Sequence, residues 1–281
     1  MHRGIKTQDA AVREAPARET PRREMLFSDA DLDHLTKSTF VERVDFHREI
    51  DSTNRRAMEL ARNGSPAGPL LILAESQTAG RGRGTNHWWA DSGALTLTLL
   101  LDTGLPQRRL PQASLTVGLA VCEAIEGIVE SSEMQLKWPN DVYCRQRKLS
   151  GILIELPTAN PQLLAIGIGI NVNNSLSRAP DELRTTAIAL CDVAGHPFPL
   201  TDVLIAVLNR LQHRLECIGC RDDELRTMWR ERCLLTNRTV QVDLGTRDVS
   251  GRCRGINDEG ALVIETPAGL EPCYAGTVTL F

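Results

Sequence analysis

Apolar positions along this chain recur in two rhythms, a period of two that marks strands and a period near 3.6 that marks helices. Residues 40–46 and the unbroken apolar run 70–74 read as the first strands. Between them Asp51-Ser52-Thr53-Asn54 caps a helix running to about Arg62, because short side-chain oxygens accept the free N–H groups of a helix start. Asn63-Gly64-Ser65-Pro66 ends it. Residues 94–101 alternate apolar residues with Thr96 and Thr98, predicting a strand with one semi-polar face. Leu115, Leu119, Cys122, Ile125 and Val129 keep helical spacing across 112–129. Residues 136–143 read as a strand broken at Pro139, which cannot donate to a ladder and so marks a strand end, an edge or a bulge. Such places aim side chains into a site.

A hairpin turn at 145–147 leads into a strand at 148–155. Another strand follows at 163–171, and Gly167 and Gly169 inside it mark a close approach to the backbone. Val203, Leu204, Val207, Leu208, Leu211 and Leu215 give helix 201–216 its inner face, and Leu225, Met228 and Trp229 do so for 222–232. From Asn237 the texture changes. Short runs at 239–244, 249–256, 261–265 and 273–280, separated by Gly- and Pro-containing turns, predict a small antiparallel barrel. Ser28 caps a short helix carrying Leu32 and Leu35 on one face. Residues 1–24 mix charges with Ala and Pro and read as disordered. The organisation is thus an N-terminal extension (1–39), a mixed α/β domain (40–235) and a small β domain (236–281).

Composition narrows the class. A formal charge of −4 argues against a broad nucleic-acid surface, without excluding a local basic pocket. The eight cysteines sit mostly inside apolar runs, like buried thiols of a reducing compartment. Cys217 and Cys220 close a helix and lack the second ligand pair of a zinc site. No run approaches the roughly 20 apolar residues that span a bilayer, and no secretion signal opens the chain, so a cytoplasmic protein is expected.

Chemistry concentrates in Gln77-Thr78-Ala79-Gly80-Arg81-Gly82-Arg83-Gly84-Thr85-Asn86-His87-Trp88-Trp89. Glycine lets amides approach a ligand closely, arginine offers a charged fork for carboxylate or phosphate oxygens, and tryptophan supplies a flat surface for a ring. This describes a mobile loop that closes over an anion attached to a planar group. The remaining polar residues gather at strand ends: Lys137-Trp138-Pro139-Asn140-Asp141, Lys148 and the Asn171 region. There is no G-x-x-x-x-G-K-[ST], and Gly167-x-Gly169 lacks the third glycine of a dinucleotide fingerprint.

Gly80-Arg81-Gly82-Arg83 before Trp88, Lys137-Trp138-Pro139-Asn140-Asp141, the block from Lys148 to Glu155, and Gly167-Ile168-Gly169-Ile170-Asn171 resemble, in order and spacing, the signature blocks of biotin–protein ligases. The resemblance spans about residues 44–281. It implies an α+β fold, with a mixed-sheet catalytic domain of the biotin/lipoate ligase type and a C-terminal SH3-like β-barrel. It also implies two half-reactions, in which ATP activates biotin to biotinyl-5′-AMP and the biotinyl group then passes to a lysine of a biotin carboxyl carrier protein.

By the same resemblance Ser52, Thr53 and Gln77, with Asn54, Gly80, Gly82 and Gly151 nearby, bind biotin. The backbone of 81–83 covers its carboxylate. Lys148 bridges carboxylate and α-phosphate, with Arg81 and Arg83 above; Trp88 packs by the adenine, and Asn140 and Asn171 reach polyphosphate or sugar oxygens. Asp141 orients Lys148 or the incoming amine. Mg²⁺ accompanies the ATP, with no fixed protein metal site expected. The resemblance allows a homodimer and implies no membrane partner. Residues 1–40 are too few for the DNA-binding winged helix of some relatives, so no DNA partner is expected. Asn86 and His87 depart from the family pattern, so a weaker or replaced phosphate contact is expected there. A lipoate or octanoate ligase and a non-catalytic biotin-binding regulator are the rival readings.

Overall fold

In the computed structural model, residues 26–64, 68–89, 91–130 and 132–281 are described. The expected disorder of 1–24 and the Ser65-Pro66 part of the first helix stop lie outside them. The described chain begins with α1 (Asp29–Ser38), closed at its start by a capping box between Ser28 and Asp31. Strand β1 (Arg43–His47) and helix α2 (Thr53–Arg62) follow, then β2 (Leu70–Ala74) and β3 (Leu95–Asp102). Helix α3 (Leu110–Glu126) precedes β4 (Met134–Lys137), β5 (Asp141–Cys144), β6 (Arg147–Glu155) and β7 (Leu163–Ile170). These strands form one seven-stranded sheet in the order β1-β2-β3-β7-β6-β5-β4. Only β1 and β2 pair in parallel; every other neighbour is antiparallel. The break expected at Pro139 within 136–143 is a full reversal: the chain turns at Pro139 and Asn140 and pairs Lys137 with Asp141, giving two antiparallel strands.

Helices α4 (Asp181–Thr186) and α5 (Leu190–Ala194) had no counterpart in the sequence reading; both are short and lack a long apolar period. Helices α6 (Leu200–Cys217) and α7 (Asp222–Glu231) are where the periodicity predicts them. A second, five-stranded antiparallel sheet contains β8 (Thr239–Asp243), β9 (Asp248–Ile256), β10 (Leu262–Thr266), β11 (Gly269–Cys273) and β12 (Thr277–Leu280), ordered β11-β10-β9-β8-β12. It matches the SH3-like type expected, except that the run 273–280 divides between two strands on opposite edges of the sheet.

Helix α3 covers one face of the large sheet and packs in turn on α6. Helix α2 covers only part of the other face, where Ala57 and Ala61 meet Ile72, Leu100 and Ala165. Beyond the start of α2 that face stays open, and the cavity described below occupies it. No described helix is long and apolar enough to cross a membrane.

An ion network centred on the buried Arg214 joins α3, α6 and α7. Arg214 donates from Nε and Nη2 to the two carboxylate oxygens of Glu123, at 2.8 and 2.6 Å, and from Nη1 to Glu224 at 2.6 Å. The bonds to Glu123, opposed by burial and aided by the one to Glu224, hold its guanidinium above its usual range. Replacing Arg214 with Met leaves the nearly buried Glu123 carboxylate unpaired. We expect a loss of about 3–5 kcal/mol of unfolding free energy, read by urea denaturation.

Candidate functional site

A bulge sets the geometry of the cavity's cationic side. On β5 and β6, Asp141 pairs with Gly151 and Val142 with Ser150, but Tyr143 pairs with Lys148. Leu149 is therefore one extra residue. A bulge shifts the side-chain alternation by one, so Lys148, Tyr143, Asp141 and Gly151 share a face although Lys148 and Gly151 differ in parity. The Lys148 ammonium lies 2.7 Å from Asp141 Oδ1. Gly151 leaves room for it, since a Cβ there would sit 3.2 Å from Nζ.

The floor is β7. Gly169 pairs with Gly151 and with Thr96, and Gly167 pairs with Leu153 and Thr98. A Cβ on Gly167 would fall 2.0 Å from Asn54 Oδ1, and one on Gly169 would fall 2.3 Å from Trp88 Cε2. Both side chains thus lie directly on the backbone of the strand. Asn54 donates to Leu153 O at 3.2 Å and to Glu155 Oε2 at 2.9 Å, while Thr98 Oγ1 lies 2.7 Å from Asn54 Oδ1.

The start of α2 differs from the expected cap. Ser52 holds the N-cap position but makes no cap hydrogen bond. Gln77 Oε1 accepts instead from the Thr53 N–H at 2.7 Å and from the Thr53 hydroxyl at 3.1 Å. The Ser52 hydroxyl is thereby spared for other partners.

The glycine–arginine stretch forms a hairpin flap. Gly82 N donates to Asn86 O at 2.8 Å and Trp88 N to Gly80 O at 3.0 Å. Gly80 is needed here because a Cβ would meet Trp88 O at 2.4 Å. Arg83 reaches across to the small sheet and donates to Gly276 O at 3.0 Å. Burial lowers its pKa, partly opposed by Asp141. Lys137 is lowered by burial too, with Asp141 opposing and Lys148 adding repulsion. Arg81, expected over the anions, is paired with Glu155 at 2.9 Å.

These elements enclose a cavity of about 500 Å³. Of the residues singled out from the sequence, Ser52, Thr53, Asn54, Gln77, Arg81, Gly82, Arg83, Trp88, Asn140, Asp141, Lys148 and Gly151 line it. Gly80 and Asn171 do not. Gly80 shapes the flap. Asn171 is buried, accepting from Asn174 Nδ2 at 3.0 Å. Asn140 lines the cavity, but its Nδ2 donates to Ile152 O at 2.6 Å and thereby ties the turn to β6. Thr98 and Glu155 were missed. Period-two alternation from Gly151 through Leu153 places Glu155 on the cavity face, which was the available signal. Leu183 and Pro180, by α4, complete the wall. Among the described residues no group of three or more His, Cys, Asp or Glu could hold a metal ion.

Comparison with known proteins identifies the family. Residues 46–173 match the Biotin/lipoate A/B protein ligase family, and residues 236–280 match the Biotin protein ligase C terminal domain. The Biotin--[acetyl-CoA-carboxylase] ligase of Paracoccus denitrificans is 32% identical over 238 residues, covering 81% of this chain and 96% of that one. The Bifunctional ligase/repressor BirA of Bacillus subtilis is also 32% identical, covering 84% of this chain and 73% of its own length. The solved Aquifex aeolicus biotin protein ligase in complex with biotin and ATP superposes with a TM-score of 0.75 at 32% identity, covering 85% of this chain and 99% of that one. With such similarity sustained over more than four fifths of its length, this chain belongs to the biotin protein ligase family.

Proposed function

We propose that this protein activates biotin with ATP to biotinyl-5′-AMP and transfers the biotinyl group to a lysine of a biotin carboxyl carrier domain. The observation that carries this reading is Lys148, fixed by Asp141 on the same cavity wall that the Arg83-bearing flap covers. In the first step the biotin carboxylate attacks the α-phosphorus and pyrophosphate leaves. Two anions must approach, so fixed cations lower the barrier as charge builds. Lys148 bridges the two reactants and Arg83 covers them from the flap. Mg²⁺ enters with the nucleotide and neutralises phosphate charge.

Ser52, Thr53 and Gln77 offer donors and acceptors complementary to a ureido group. The cap role of the Gln77 carbonyl leaves its amide N–H groups for a ligand. Trp88 supplies a ring face for the adenine. In the second step the carrier amine attacks the mixed anhydride carbonyl and AMP departs, with Asp141 accepting the amine's proton.

Residues 40–235 are the proposed catalytic domain and 236–281 the small β domain. The eight free cysteines suit the cytoplasm as the proposed location. A homodimer is compatible with this reading, and the net charge of −4 supports a protein without a DNA partner.

Incubation with biotin, MgATP and a carboxyl carrier domain, read by intact mass, tests the assignment. Lys148→Ala should reduce pyrophosphate release by at least about 10²-fold in a chain that stays folded, its melting midpoint falling only modestly as Asp141 loses its partner; normal turnover in a destabilised variant would contradict the role. Arg83→Gly removes a tether of the flap. Labelling of non-acceptor proteins by escaped adenylate should rise about tenfold on a streptavidin blot, and unchanged retention in a single-turnover assay would refute the flap's trapping role.

A further inference from the structure

The flap carries two arginines in equivalent settings along the chain, yet their surroundings differ. Arg83 keeps its charge toward the cavity and gives one hydrogen bond to a neutral carbonyl, that of Gly276. Arg81 is already neutralised. Its Nη2 lies 2.9 Å from Glu155 Oε1 and its Nη1 lies 3.0 Å from Glu155 Oε2, a two-pronged ion pair. The same Oε2 accepts from Asn54 Nδ2 at 2.9 Å. One carboxylate at the end of β6 therefore binds the flap and the first turn of α2 together.

We propose that Glu155 is the latch of the flap, a positioning residue that sets how fast ligand leaves by holding Arg81 down. This rests on the ligase reading above, since it takes biotin as the ligand. The backbone hydrogen bonds from Gly82 to Asn86, from Asn86 to Arg83 and from Trp88 to Gly80 are internal to the hairpin and move with it; Arg83 adds one outward bond, to the neutral carbonyl of Gly276. Opening needs only the external ties to break. The Arg81–Glu155 pair suits a reversible tie. Two parallel charge-assisted bonds fix direction, while side-chain exposures of 39% for Arg81 and 21% for Glu155 let water compete for the pair. Lids that open and close on each turnover require such modest fastenings.

Glu155→Gln tests this in the full chain. The glutamine oxygen still accepts from Asn54, so the floor of the site is preserved while the ion pair is lost. Labelled biotin is bound, chased with excess unlabelled biotin, and its release followed at rising ionic strength. The latch predicts release about tenfold faster in Glu155→Gln. Wild-type release should accelerate with salt, and the variant should respond little. The charge-swapped pair Arg81→Glu with Glu155→Arg should slow release again relative to either single change. Equal release rates in wild type and Glu155→Gln, or a variant as salt-sensitive as wild type, would overturn the proposal. So would a charge swap no slower than its single components. A wild-type chain that neither binds biotin nor forms its adenylate would instead defeat the ligase assignment, so the two failures are told apart.

Discussion

Two successive positions on the cavity face of β7 lack side chains, and the site is built on that bareness. Gly167 and Gly169 let Asn54 and Trp88 come closer to the strand than any side-chain-bearing residue would allow. Asn54 arrives from the start of α2 and Trp88 from the flap, so one strand serves as the meeting plane of two elements far apart in sequence. Close packing leaves no room for even one added methyl group at such a contact. Every further feature, from the hydrogen bonds of Asn54 to the seating of the flap, presupposes this floor.

Above it the charges are deliberately unbalanced. Asp141 is paired with Lys148, while Lys137 and Arg83 share its field without a carboxylate of their own within hydrogen-bonding distance among the described residues. Burial disfavours the charged form of both cations. An anion entering the cavity supplies the charge that burial and Asp141 alone do not balance. In the proposed reaction one feature would serve both binding and catalysis, because donors that attract anionic substrates also stabilise charge that develops between them.

How far the sequence discloses this depends on the range of the interaction. Helices α3 and α6 follow from local periodicity, and strand β2 from its unbroken apolar run, which is buried at every position. The glycines of β7 read correctly as points of close approach because the strand context alone makes a side-chain gap informative. Long-range partners are another matter. Strand alternation puts Glu155 on the same face as Gly151, but its partner lies 74 positions away and nothing local names it. Ser52 looks like a capping residue, but Gln77 displaces it from that task across 24 positions. Pro139 signals a break correctly, whereas the full reversal between β4 and β5 depends on pairing that the proline itself does not specify. The bulge at Leu149 is equally silent in sequence, yet it decides which face Lys148 occupies.

The small sheet, too, is more than an attachment. Trp138 Nε1 donates to Gly260 O at 3.1 Å, and the Lys137 ammonium lies 4.2 Å from the centroid of the Phe281 ring. Together with the bond from Arg83 to Gly276, these contacts bring the Lys137-to-Asp141 turn and the flap under the influence of the C-terminal strands. Thr277 and Val278 line the cavity directly. A cation over an aromatic ring is attracted to the ring face, so Phe281 offsets part of the cost that burial imposes on the Lys137 ammonium. The two sheets therefore share one cavity: the larger supplies the floor and Lys148, and residues of the smaller contact Lys137 and Arg83 at its rim.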